Sequence, residues 1–290
     1  MGYSGRYHAA SLAAVFIALA VGILIGIGLA DDVVSSASEE LEASLRSDLK
    51  AAEGEAEELD AALDESDKFG EQILPELLGG RLAGRRVALV GLGDADAELV
   101  TDVREAVEAA DGELAAVAEV ALPPDTDTLV DDVPQRFARL RRDPDPAAAI
   151  GRAVGAELPG GGPVIEALAP DLFTRFSGNL RGVDAVVVTR SPPDDLDASA
   201  REETGAFESA LLSAVARSAP DSAGAELSTA DPTTLEPIIE AGMPTVDHLD
   251  LPAGQVSLVY VLTGVDGNYG VKDEARSFLP DFGRGAVDQP

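Results

Sequence analysis

Apolar positions follow three successive patterns along this chain. From Ala9 to Ala30 the segment AASLAAVFIALAVGILIGIGLA runs 22 residues without a charge. A helix of that length reaches about 33 Å at 1.5 Å per residue, enough for a hydrocarbon core of about 30 Å. It would satisfy its own backbone hydrogen bonds in lipid. From about Val33 to Ile73 there is no proline, and Leu45, Leu49, Ala52, Ala56, Leu59 and Leu63 alternate spacings of four and three. That is the seam pattern of a coiled coil, with a slip of register at Leu41. Glu53, Glu55, Glu57, Glu58, Asp60, Asp64 and Glu65 occupy its other faces.

The third pattern begins after Pro75 and Gly79-Gly80, which are expected to end the long helix. Val87-Ala88-Leu89-Val90 reads as a buried strand, and Asp94 or Asp96 as the cap of a helix over Ala97–Ala110. Glu113–Leu122 reads as a second strand, giving a βαβ unit. Val183–Val188 is a further strand, followed by a helix from about Ser199 to Arg217. Ala225–Ser228, a short helix near Thr233–Ala241 and a strand over Gln255–Leu262 complete the alternation. Residues 123–182 read as a helical insertion punctuated by Pro and Gly. The expected fold class is thus α/β: an N-terminal single transmembrane helix, a helical coiled-coil stalk, then a Rossmann-like domain with a parallel sheet. The boundaries are 1–8 for a leader, 9–30 for the anchor, 31–75 for the stalk and 76–290 for the α/β domain.

Arg6 before the apolar run and Asp31-Asp32 after it orient the anchor under the positive-inside rule, with Tyr3 and Tyr7 at headgroup level. The N-terminus is then cytoplasmic, and the C-terminal domain lies outside the plasma membrane. A cleaved signal peptide is the rival, since Gly28 and Ala30 are small residues a peptidase accepts. The run is longer than the 7–15 residues of a typical signal core, so retention is expected. Gly22 and Gly26 add a GxxxG spacing that permits close helix approach.

Charge changes the picture next. The chain has 53 acidic and 21 basic residues, a formal net of −32. Such a surface repels nucleic acid and anionic headgroups, so no nucleic-acid partner is expected. Adaptation to a salty environment explains acids spread over the whole chain, and weak delocalised cation binding is the sharper reading. There is no cysteine, which removes disulfides, thiolate catalysis and cysteine metal sites.

Few side chains remain for site chemistry. Gly91-Leu92-Gly93 follows the first strand, but Asp96 stands where a dinucleotide fingerprint needs its third glycine, so a plain tight turn is expected. His248 is the one histidine beyond the anchor, His8 preceding it. A Ser–His–Asp set with Ser257 lacks a nucleophile-elbow motif. Asp247, His248 and Asp250 could touch a divalent cation, yet copper prefers thiolate, thioether or imidazole, and only His248 and Met243 offer these outside the membrane. The expectation is no enzyme: catalytic, cofactor-binding and metal residues, none. Arg136, Arg139, Arg141 and Arg142 form the one basic cluster; they counter-charge acidic surroundings or dock an anionic envelope polymer.

The string Arg6-Tyr7-His8-Ala9-Ala10-Ser11-Leu12-Ala13-Ala14-Val15-Phe16, with Thr245-Val246-Asp247, Ala253-Gly254-Gln255, Gly267-Asn268-Tyr269-Gly270 and Leu279-Pro280 far downstream, resembles the actinobacterial MctB family of copper transport outer membrane proteins, also called SteB. The resemblance implies a role in copper transport or homeostasis for a membrane-anchored cell-envelope protein. Its alternative implication is a non-enzymatic scaffold that binds a partner protein and influences cell separation. The expected partners are the membrane, a second copy through the stalk, an envelope protein and weakly held copper. An outer-membrane pore finds no support in the pattern, since a barrel needs many strands of about ten alternating residues.

Overall fold

The computed structural model describes residues 4–281, with side chains throughout except at 4–10, 27–40, 67 and 71. The chain divides into two compact units, Met1–Ser66 and Asp67–Pro290. Helix α1 spans Ser4–Leu78. Among the described residues no helix is long and apolar enough to cross a membrane. The expected anchor, 9–30, lies partly outside the described residues, its side chains being described over 11–26 alone. In the first unit the seam leucines stand in solvent: Leu41, Leu45, Leu49, Leu59 and Leu63 are each more than half exposed.

In the second unit α1 runs through Pro75 and ends at Leu78, directly before Gly79-Gly80, so of the two expected stops the glycine pair closes the helix. Leu74 and Leu78 are buried with Leu82, and their burial carries the helix a turn past the proline. Then follow β1 (Arg86–Gly93), α2 (Ala97–Ala109), β2 (Glu113–Val120), α3 (Thr126–Asp132), two 3-10 turns, α4 (Pro146–Glu157), α5 (Pro163–Leu172), β3 (Phe173–Gly178), β4 (Ala185–Ser191) and α6 (Ala198–Ser218). β5 (Ala223–Ala225), α7 (Glu236–Glu240), β6 (Thr245–Val246), α8 (Pro252–Val261) and β7 (Asn268–Tyr269) complete the unit. The strands form one sheet in the order β3-β2-β1-β4-β5-β6-β7. Every pairing is parallel except β2 with β3, which is antiparallel.

Alternation along the central strands builds a core on each face of the sheet. Ala88, Val90, Leu92, Val186 and Val188 enter one cluster with α4, α5 and α6 residues. Val87, Leu89, Ala185 and Val187 enter the other, with the end of α1, α2 and α8. The result is a three-layer α/β unit, as a sheet of mostly parallel strands requires. α4 and α6 approach closely because Gly151 and Gly155 face backbone; a Cβ at either would collide with the Phe207 or Leu211 carbonyl.

Three expectations are corrected. Gln255–Leu262 is helix, not strand: Pro252 opens α8 at its first turn, and residues 254–261 are buried on all sides, so no period marks the helix. The 123–182 insertion is not wholly helical, since its end supplies the antiparallel edge strand β3. The strand expected over Ala225–Ser228 lies instead at Ala223–Ala225, as the three-residue β5.

Candidate functional site

Parallel strands deliver their carboxyl ends to one edge of the sheet, and that edge carries several buried polar residues, Glu119, Thr189, Glu226 and Asp247 among them. The chain turns from β1 to β2 on one side and returns at β4 on the other. The β1/β4 boundary is therefore a topological switch point, the usual place for a ligand crevice in open α/β sheets. A cleft of about 470 Å³ opens there, lined by Asp94, Asp96, Thr189, Ser191, Asp194 and Glu226 among others. Arg190, also in its wall, is held bidentately by the buried Glu208 at 3.0 and 2.9 Å.

Further along the same edge, the residues that follow β5, β6 and β7 meet. Glu226 accepts from Thr233 Oγ1 at 2.7 Å, from Thr234 N at 2.8 Å and from Lys272 Nζ at 2.7 Å. Lys272 also donates to the Ala230 carbonyl at 2.5 Å. Asp247 receives the amides of Val271 and Lys272 at 2.8 and 3.0 Å. Asp250 receives Ser228 N and Oγ, both at 2.6 Å. Both oxygens of each carboxylate accept from donors of the chain itself. Glu226 and Asp247 fasten the C-terminal segment across the end of the sheet, and Asp250 ties down the turn at Ser228.

His248 is buried completely, and neither ring nitrogen has a hydrogen-bond partner. Asp247 Oδ1 lies 3.4 Å from Nδ1, and the ring stacks on Phe278 with centroids 5.0 Å apart. Burial pushes the imidazole below its usual value, against the opposing pull of Asp247 and Asp250. Ser257, placed by the correction above on α8, donates to the Ala253 carbonyl at 2.9 Å. The Ser–His hydrogen bond that nucleophilic catalysis needs is therefore not made. Met243 is a core residue. The Asp247/His248/Asp250 set does not converge as a cation site: among the described residues no three His, Cys, Asp or Glu side chains group to hold a metal ion.

Gly91-Leu92-Gly93 is not a turn but the end of β1. Its last residue has φ 88°, with the Ser191 carbonyl where a side chain would stand. Asp96 caps α2, accepting from Glu98 N at 2.8 Å, as expected. Asp102 borders a second cleft of about 500 Å³ with Leu74, Glu105, Asp250 and Gln255. Burial first, and then Glu98, Glu105, Asp250 and Asp96, raise its carboxyl to about 6. Sequence reasoning missed Glu226, Lys272, Arg190 and Glu208. Glu208 fell inside the expected helix over Ser199–Arg217 and Glu226 inside Ala225–Ser228, but neither element signals a pairing, and only the Gly267–Gly270 motif stood near Lys272.

The match with known proteins falls on this architecture. The family described as "Copper transport outer membrane protein, MctB" covers residues 3–280. Proteins named "Copper transporter MctB" from Mycobacterium tuberculosis and Mycobacterium bovis are 29% identical over 115 residues. That stretch is 40% of this chain and 37% of each relative, so the chain aligns with well under half of their length. With the family pattern covering almost every described residue, the chain belongs to the MctB family.

Proposed function

We propose that the chain serves in copper transport or homeostasis as a membrane-anchored protein of the cell envelope. The observation that carries this reading is the family match from residue 3 to residue 280. In this reading residues 1–8 are cytoplasmic and 9–30 form an uncleaved single-pass anchor in the plasma membrane. Residues 31–75 are a coiled-coil stalk that pairs two copies, and 76–290 a Rossmann-like extracytoplasmic head. Copper is cargo rather than a resident cofactor, and the protein performs no covalent chemistry. Beyond the anchor the sequence offers Met243 and His248 as its only thioether and imidazole, and both are buried. The influence on copper then runs through what the head binds. Deleting the gene should change cellular copper measured by mass spectrometry. Re-expressing either the chain or its Met243→Leu/His248→Gln variant should restore it. Unchanged copper on deletion would overturn the reading.

A second reading, a scaffold that binds a partner protein and influences cell separation, is favoured by the leucine stripe on α1, which is more than half exposed in the single chain. Capture from detergent-solubilised membranes, with septation scored in the deletion strain, tests it. A separation defect with normal copper selects the scaffold.

A further inference from the structure

Between α3 and α4 the chain winds through two 3-10 turns, Gln135–Phe137 and Leu140–Arg142. Phe137 N bonds Pro134 O, Ala138 N bonds Gln135 O, and Arg142 N bonds Arg139 O, each reaching back three residues. Ala138 and Arg139, which join the turns, keep right-handed helical dihedrals. A 3-10 helix has three residues per turn and rises about 2 Å per residue, so residues i and i+3 stand one above the other. The sequence QRFARLRR therefore sorts into rows. Phe137 and Leu140 form the inner row, half-buried against the core. Arg136, Arg139 and Arg142 form an outer row, all three exposed, at steps of about 6 Å. Arg141 belongs to neither; its Nη2 donates to the Asp131 and Val133 carbonyls at 2.7 and 2.5 Å and ties the turns to the end of α3.

Among the described residues, Arg136, Arg139 and Arg142 make no ion pair, although the chain carries 53 carboxylates. The Arg136 guanidinium lies over the Phe137 ring at 5.2 Å. Three of the neighbouring acids have other partners. Asp143 accepts from Asp145 N, Asp145 from Ala148 N, and Asp132 shares a hydrogen bond with Asp171 that raises the Asp171 carboxyl.

We propose that this row is a docking strip for a linear phosphate-bearing polyanion. Guanidinium groups grip oxyanions bidentately, and three of them at regular steps fit a repeating chain better than a single small anion. The acidity of the rest of the molecule does not forbid this, because charges beyond about 8 Å are largely screened at physiological ionic strength. An anionic membrane is the weaker fit: with Arg141 the cluster only reaches the lower bound of the four to eight charges that mark lipid-binding clusters, and Asp131, Asp132, Asp143 and Asp145 flank it. Single-stranded nucleic acid needs exposed aromatic platforms, and Phe137 is turned to the core.

The test is fluorescence anisotropy of labelled polyphosphate against the full-length chain in neutral detergent. Binding should weaken linearly in log salt. Arg136→Ser/Arg139→Ser/Arg142→Ser should bind at least tenfold more weakly. Arg104→Ser/Arg152→Ser/Arg217→Ser, which removes the same charge from exposed sites elsewhere, should stay within twofold. Thermal melts establish that both variants fold; if the first does not, the three single substitutions should each weaken binding two- to fourfold. No binding at low salt, or equal losses in both triple variants, would overturn the proposal. So would capture by vesicles containing anionic phospholipid without binding of polyphosphate.

Discussion

The Lys272 ammonium donates to the Glu226 carboxylate at 2.7 Å, although 46 residues separate them. Their side chains are 16% and 3% exposed. Glu226 is the first residue after β5, and Lys272 follows β7, two strands away on the same edge of the sheet. Strand order brings them together, and their pairing in turn holds the C-terminal segment across that edge. The polar cluster at this end of the sheet is best understood as a fastening.

Breaking that pair from one side should be costly. Lys272→Met leaves the buried Glu226 charge without its cation, a loss of about 3–5 kcal/mol. Glu226→Gln/Lys272→Met should cost less than the sum of the two single changes. Urea unfolding followed by tyrosine fluorescence reads this, since Tyr260 and Tyr269 lie in the adjoining core and the chain has no tryptophan. A loss below about 1 kcal/mol for Lys272→Met, typical of exposed pairs, would refute the fastening.

Gly270 should tolerate no side chain. Its φ is 156°, and a Cβ there would overlap the Asp247 carboxylate that receives the amides of Val271 and Lys272. Gly270→Ala should destabilise by about 3 kcal/mol, the scale of hydrogen bonds to a charged group together with backbone strain. Asp247→Ala should cost a similar amount by removing the same two bonds, and the double variant clearly less than the sum, since the bonds are lost once and only the strain at residue 270 adds. Additive losses would mean that the two residues act independently.

The sequence was legible where one element carries its own signal. Val87–Val90 and Ala185–Val188 are compact apolar runs rich in valine, and Asp96 announces its helix by capping it. β6 and β7, at two residues each, are too short to leave a pattern. In β3, Thr174, Arg175 and Phe176 are exposed at the sheet edge, where burial imposes no alternation. α8 fails for the opposite reason, being buried all round. The carboxyl-edge cluster was illegible because Glu226, Asp247 and Lys272 meet only once the strand order is known. The motifs Thr245-Val246-Asp247 and Gly267–Gly270 marked the place without revealing its role.

The half-buried Asp102 and the buried His248 should give stability opposing pH dependences. Asp102 titrates at about 6 in the fold against 3.8 without it. The native state therefore keeps a proton that the unfolded chain releases between about pH 4 and 6, and this group's contribution falls as pH rises through that window. His248 is shifted down from 6.5 by burial. The unfolded chain takes a proton there that the native state refuses, so its contribution falls as pH drops below 6.5. Asp102→Asn should raise the melting temperature at pH 7, with the gain gone near pH 4. His248→Leu should flatten the decline below pH 6.5. An Asp102→Asn gain that persists at pH 4 would point to packing instead of titration.

The stalk proposed above should pair in parallel, and the absence of cysteine allows a direct test. Leu59 and Leu63 are 63% and 57% exposed, a cost in apolar surface that a second copy would remove. They occupy adjacent seam positions, whereas Glu57 falls on the outer face of the same repeat. In a parallel, in-register dimer each seam residue faces its own copy. The two Cα atoms then come within the roughly 7 Å that a disulfide tolerates. Leu59→Cys and Leu63→Cys in the full-length chain should each give a covalent dimer under mild oxidation in detergent, and Glu57→Cys should remain monomeric. Leu59→Asp combined with Leu63→Cys should abolish the crosslink, because like charges then face each other across the seam. Equal crosslinking at all three positions would indicate random collision. No crosslinking at 59 or 63 at tens of micromolar protein would leave the stalk a single helix, with the leucine stripe available to a different partner.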